Sequence, residues 1–131
     1  MSKKKEKSGK YRSKLEDEVS KVMPDGTYEC EKIEYTIPAK THNYTPDFTT
    51  GDIRWEVKGR FRDIEEAKKY LYVKESNPEL DLRFIIQSEK TMMPKSKKTT
   101  IKEWLEKNGF TVYVWPNVPK KCIFAAKNRI I

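Results

Sequence analysis

The stretch Tyr44-Thr45-Pro46-Asp47-Phe48-Thr49-Thr50-Gly51-Asp52-Ile53-Arg54-Trp55-Glu56-Val57-Lys58 decides how this chain folds. Two runs rich in β-formers flank Gly51-Asp52, a dipeptide suited to a two-residue hairpin turn. With that pair at the turn, Thr50 faces Ile53, Thr49 faces Arg54, and Asp47 falls opposite Glu56. Opposed residues share one face with Cβ atoms about 4.5–5.5 Å apart. Lys58, two residues beyond Glu56, points the same way. Ile53, Trp55 and Val57 take the other face, which gives an apolar side to pack and a charged side to work with. Two carboxylates facing each other repel, so stability alone does not select them; a divalent cation held between them turns the repulsion into binding.

The composition narrows what that charged face can do. The chain has 131 residues, of which 36% are hydrophobic and 37% charged, enough for one domain with an economical core. The formal charge of +8 suits a polyanionic partner, and it is unevenly spread. Lys3, Lys4, Lys5, Lys7, Lys10, Arg12 and Lys14 against Glu6 give the first 14 residues +6, leaving +2 for the rest. Residues 1–12 lack apolar periodicity and read as a flexible basic arm; phosphate binding by counterion release and simple solubilisation both account for it. Cys30 and Cys122 stand far apart and match no metal-ligand spacing, and His42 is the single histidine. Zinc sites built on several imidazoles are thereby excluded, and no glycine-rich phosphate loop occurs. With no signal peptide and no long apolar run, the expectation is a cytoplasmic protein with reduced thiols and no membrane contact. The chemistry is left to carboxylates, lysine and a hard metal.

Outward from the hairpin, Ser13 and Glu16 have the spacing of a helix start, and Leu15, Val19, Val22 and Met23 trace its buried stripe up to Pro24-Asp25-Gly26. Glu16 borders that stripe, where it either caps its helix or reaches a core-facing site. Thr27–Cys30 reads as a short strand. Ile33, Tyr35 and Ile37 alternate in a second extended run ended by Pro38, with a bulge expected near Glu31-Lys32. Residues 39–43 read as a loop in which His42 is a surface residue. After the hairpin, Asp63 and Glu66 open a helix with the stripe Ile64, Ala67, Leu71 and Lys74. Leu82–Ile86 reads as a covered strand. Lys90, Lys95, Lys97, Lys98 and Lys102 mark a basic loop, Thr100 and Glu103 open a further helix, and Phe110–Trp115 is a last strand before a basic tail. Trp55, Trp104 and Trp115 fit core positions. This order predicts an α/β fold with a mixed sheet flanked by helices.

A phosphodiesterase working through a hard cation needs oxygen ligands, a nearby base or cation to manage the attacking water and a path for the nucleic-acid backbone. Asp47 and Glu56 offer carboxylate oxygens, the Val57 carbonyl lies between Glu56 and Lys58, and Lys58 stands ready to orient the water or to stabilise charge on the phosphate. Glu16 is the best upstream candidate for a further carboxylate. Arg60 and Arg62 follow at once, as backbone contacts or as solvated surface.

Pro46-Asp47 with Glu56-Val57-Lys58 resembles the PD-(D/E)xK nuclease superfamily. Tyr11-Arg12-Ser13-Lys14-Leu15-Glu16-Asp17, Ile37-Pro38-Ala39, Tyr44-Thr45-Pro46-Asp47-Phe48, Lys58-Gly59 and Asn77-Pro78-Glu79-Leu80-Asp81 are similar, in the same order over residues 11–86, to the phage endonuclease I family, the Holliday-junction resolvases of T-odd coliphages. The resemblance implies a restriction-endonuclease-like core over residues 13–131 with Glu16, Asp47, Glu56 and Lys58 as the catalytic set. It implies magnesium, with manganese able to substitute, on Asp47, Glu56, Val57 and Glu16. The substrate would be four-way junctions and other branched double-stranded DNA, in a phage-encoded protein acting in the bacterial host. DNA contacts are expected from Lys3, Lys4, Lys5, Lys7, Lys10, Arg12, Lys14, Arg60, Arg62, Lys95, Lys97 and Lys98. It further implies an intertwined homodimer, with residues 33–40 as the crossing segment and Glu16 supplied to the Asp47 of the other subunit. Two rivals stand beside this reading: a sequence-specific homing or restriction-type endonuclease, and a non-catalytic DNA-binding module.

Overall fold

The computed structural model describes residues 13–37 and 40–124. The central hairpin forms as its sequence dictates, from β3 (Phe48–Thr50) and β4 (Ile53–Lys58), with Thr50 against Ile53, Thr49 against Arg54 and Phe48 against Trp55. Gly51 has a φ of 62°, a left-handed value that glycine adopts without steric cost. β4 then pairs in parallel with β5 (Asp81–Ile86), which pairs in parallel with β6 (Thr111–Val114), so the sheet runs β3-β4-β5-β6 with a single antiparallel edge. Parallel neighbours require long crossovers, supplied by α2 (Ile64–Ser76) and α3 (Ile101–Lys107). The architecture is α/β with a mixed sheet flanked by helices.

Both sheet faces are covered, which corrects the expected division of β4 into an apolar and a charged side. One face packs Trp55, Val57 and Ile85 with Phe48, against Leu15 and Val19 of α1 (Lys14–Ser20) and against Cys122 and Ile123. The other packs Phe84 and Ile86 against Tyr70 and Val73 of α2 and Leu105 of α3. Glu56 lies inside this packing, only 6% exposed.

Local departures from the sequence reading have identifiable causes. Val22 is 39% exposed, because α1 ends at Ser20 and helical spacing no longer sets its direction. The buried face of α2 is Ala67, Tyr70 and Val73, rotated from the expected stripe; Ile64 is left 38% exposed. Tyr70 draws the helix round, since a large aromatic with a hydroxyl gains most where both ends are satisfied. Residues Lys40–Tyr44 form a strand, β2, paired antiparallel with β1 (Ile33–Ile37); cross-strand pairing overrides their polar composition. His42 of β2 stacks on Tyr35. Thr27–Cys30 makes one isolated bridge, Tyr28 to Phe48, because Glu29 takes a φ of 43° and leaves extended geometry. The basic tail contains a short helix, α4 (Lys120–Ile123), to which β3 is tied by the Thr50 hydroxyl donating to the Cys122 carbonyl at 2.9 Å. No helix among the described residues is long and apolar enough to cross a membrane.

Candidate active site

Three carboxylates reach one point from three separate segments. Ser13 caps α1 by accepting the Glu16 N–H at 2.9 Å. That fixes the first turn so that Leu15 and Val19 enter the core and Glu16, only 4% exposed, is buried with them. The cap and the contact with Asp47 therefore coexist: the Glu16 backbone serves the helix and its side chain hydrogen-bonds Asp47. Asp47 follows the buried Pro46 just before β3, and its Oδ2 accepts the Val57 N–H at 2.8 Å. The β3–β4 ladder stops at Phe48–Trp55, so the Asp47 side chain takes the place of the next backbone partner. N–H and C=O of one strand residue leave by the same edge, which turns the Val57 carbonyl toward Asp47 as well. Glu29 is the third carboxylate, held by its N–H donating to the Asp47 carbonyl at 2.8 Å. Ligand oxygens of Glu16, Glu29 and Asp47 all lie within 4.8 Å of one another. All three are drawn here from one polypeptide.

Glu56 occupies a different position from that trio. Its Oε1 accepts the Tyr44 hydroxyl at 2.6 Å and its Oε2 the Tyr70 hydroxyl at 2.9 Å. The Lys58 Nζ stands 3.6 Å from Oε2 and only 2.7 Å from Oε2 of Glu66. Lys69 lies over the rings of Tyr44 and Tyr70, 5.5 and 5.2 Å from their centroids, adding positive potential behind Glu56.

Electrostatics couples Glu56 to the trio. Burial pushes the Asp47 carboxyl well above its ordinary 3.8, and the charges of Glu56 and Glu16 push the same way against the single Val57 hydrogen bond. Glu56 is also raised by burial, opposed by Lys58 and the two tyrosine hydroxyls. For Lys58 burial works downward, but Glu56 and Glu66 outweigh it and hold the ammonium above its ordinary value. Lys58 is thus held as a cation beside the acids. The protein alone leaves the carboxylate cluster short of positive charge. Its donors are all oxygen, which matches a hard divalent cation.

Of the expected DNA-contacting residues, Lys3, Lys4, Lys5, Lys7, Lys10 and Arg12 lie outside the described residues. Lys14 is exposed at the start of α1, and Arg60 and Arg62 are exposed immediately after β4. Lys95, Lys97 and Lys98 are exposed on a loop anchored by buried Met93 and closed by a bridge between Met92 and Thr100. A cavity of about 640 Å³ lined by Arg60, Arg62 and Lys95 joins the two basic segments. Sequence reading missed Glu29, Glu66, Tyr44 and Tyr70 as site residues. A break in strand alternation near Glu31 was the signal for Glu29, displaced by two residues; Glu66 was visible only as part of a helix start.

The chain matches the family model described as phage endonuclease I over residues 1–130, well beyond the motifs that end near Ile86. It is 41% identical over 108 residues to "Endonuclease I" of Escherichia phage T7, covering 79% of this chain and 72% of that protein. It is 40% identical over 104 residues to "Endodeoxyribonuclease 1" of Enterobacteria phage T3, covering 76% and 68%.

Proposed function

The chain belongs to the phage endonuclease I family and is an endodeoxyribonuclease, and from that premise we propose that it is a metal-dependent enzyme selective for branched DNA, cutting four-way junctions as a homodimer in the cytoplasm of an infected bacterium. The observation that carries the metal dependence is the convergence of Glu16, Glu29 and Asp47 oxygens within 4.8 Å. Those three residues would hold magnesium, or manganese in its place, with the Val57 carbonyl and Glu56 as further donors of a PD-(D/E)xK site. Bound there, the cation supplies Lewis-acid stabilisation of charge on the phosphate.

The residues present define the remaining work. In hydrolysis water adds to phosphorus and a P–O bond to deoxyribose breaks, so negative charge builds on the phosphate oxygens. Lys58, held protonated, donates hydrogen bonds to that charge. Glu56, fixed by two tyrosine hydroxyls, keeps its place beside Lys58 without needing to move. Asp47 is oriented by the Val57 N–H, and burial of the cluster limits competing water. Arg60, Arg62 and the Lys95–Lys98 loop would guide the DNA backbone past the site, and the arm of residues 1–12 would add unspecific phosphate contacts to a single nuclease domain spanning residues 13–131.

In the dimer, exchange through residues 33–40 would place Glu16 of one chain beside the Asp47 of its partner, reproducing the contact that a single chain makes. Cleavage of an immobile four-way junction against a linear duplex of matched sequence tests the reading. Junction cleavage in magnesium or manganese, lost in EDTA, is expected; equal rates on the two DNAs would end the structure selectivity, and cleavage in EDTA would end the metal dependence.

A further inference from the structure

Glu66 sits in the first turn of α2, which is already capped: the Asp63 carboxylate accepts the Glu66 N–H at 2.8 Å. The Glu66 side chain is therefore not needed to start the helix, yet both of its oxygens are engaged. Oε1 accepts the Arg62 N–H at 2.6 Å, and Oε2 meets the Lys58 ammonium at 2.7 Å. The Lys58 and Glu66 side chains are 18% and 15% exposed. At 2.7 Å and largely shielded from water, the pair is held in one geometry, and removing either partner leaves the other charge without its counter-ion.

We propose that Glu66 is a positioning residue for the cleavage reaction, holding the Lys58 ammonium in place and tying it to the Arg60–Arg62 segment. One carboxylate bridges the end of β4, where Lys58 lies, and the backbone of the segment whose exposed arginines would meet DNA. An ammonium has three N–H donors; Glu66 fixes one, and the side chain can turn the others to a phosphate oxygen without searching its four rotatable bonds. Glu56, at 3.6 Å, supplies charge but no direct hydrogen bond, so direction comes from Glu66. This inference rests on the nuclease reading and adds to it a residue outside the Pro-Asp and Glu-x-Lys pattern.

The test uses the full chain on a four-way junction in magnesium, with kcat and KM measured for wild type, Glu66→Gln, Lys58→Met and the double variant. Glutamine keeps an acceptor for the Arg62 N–H and removes the charge facing Lys58. The expected result is a kcat about tenfold lower for Glu66→Gln with KM within about twofold, and no further loss when Glu66→Gln is added to Lys58→Met. Glu65→Gln, one position earlier and exposed, leaves kcat unchanged. A wild-type kcat in Glu66→Gln overturns the proposal, as does an equal additional loss in the Lys58→Met background, because a merely structural role would persist there. If Glu66→Gln melts well below wild type, Glu66→Asp decides: partial recovery of kcat supports positioning by charge, and no recovery overturns it. A wild-type protein that cleaves no DNA would instead overturn the nuclease reading itself.

Discussion

Replacing Asp47 with asparagine should stabilise the metal-free protein while abolishing its activity. The Asp47 carboxyl is 4% exposed and shares a space of 4.8 Å with two further carboxylates. At that separation one ionised pair repels by roughly 3 kcal/mol at an effective dielectric of about 20, and partial protonation limits how much of this is felt. Asparagine removes the charge and keeps an oxygen for the Val57 N–H, which now donates to Oδ2. The expected gain is about 1–3 kcal/mol in EDTA at pH 8, a melting temperature higher by roughly 4–12 °C for a chain of this size. Because the folded pKa of Asp47 is raised from its ordinary 3.8 to about 10, the stability it contributes is fully present below pH 3.8 and is lost progressively as pH rises from there toward 10. The advantage of the variant must therefore shrink between pH 8 and pH 5. Saturating magnesium should reverse the order, since only the wild type gains binding energy. Thermal melts at the two pH values, with and without metal, read all of this. A variant less stable than wild type in EDTA at pH 8, or an advantage independent of pH, would refute the account of Asp47 as an uncompensated buried acid.

Glu29→Gln should weaken magnesium binding at least tenfold by calorimetry and lower junction cleavage accordingly, with little change in melting temperature; unchanged metal affinity removes Glu29 from the metal shell. Tyr70→Phe deletes one of the two hydroxyls that hold Glu56 and should cost about 1–3 kcal/mol in chemical denaturation, while Tyr72→Phe on the same helix costs far less. Deleting residues 2–10 removes five lysines and one glutamate; junction affinity should fall and its dependence on salt flatten. An identical salt slope would take the arm out of DNA binding.

The hairpin was legible because its determinants are local. Gly51-Asp52 and the alternation around it set the Phe48–Trp55 register, and that register alone brings Asp47 next to Val57. The helix starts at Ser13, Asp63 and Thr100 were legible for the same reason, since a cap is a contact over three residues. Even the two-sided burial of β4 has a sequence trace, in the covered strand Leu82–Ile86 that pairs beside it.

The sequence by itself thus determined the α/β class, the hairpin, and the membership of Glu16, Asp47, Glu56 and Lys58 in one neighbourhood. Only the tertiary structure decided how those groups are held. Glu29 joins Glu16 and Asp47 through a left-handed backbone position that no spacing rule marks. Glu56 is held beside them by Tyr44 and Tyr70, 12 and 14 residues away along the chain, and Lys58 by Glu66. The physical reason is that a buried charge must find its partners wherever packing delivers them, and packing is settled by contacts between segments that local pattern does not connect.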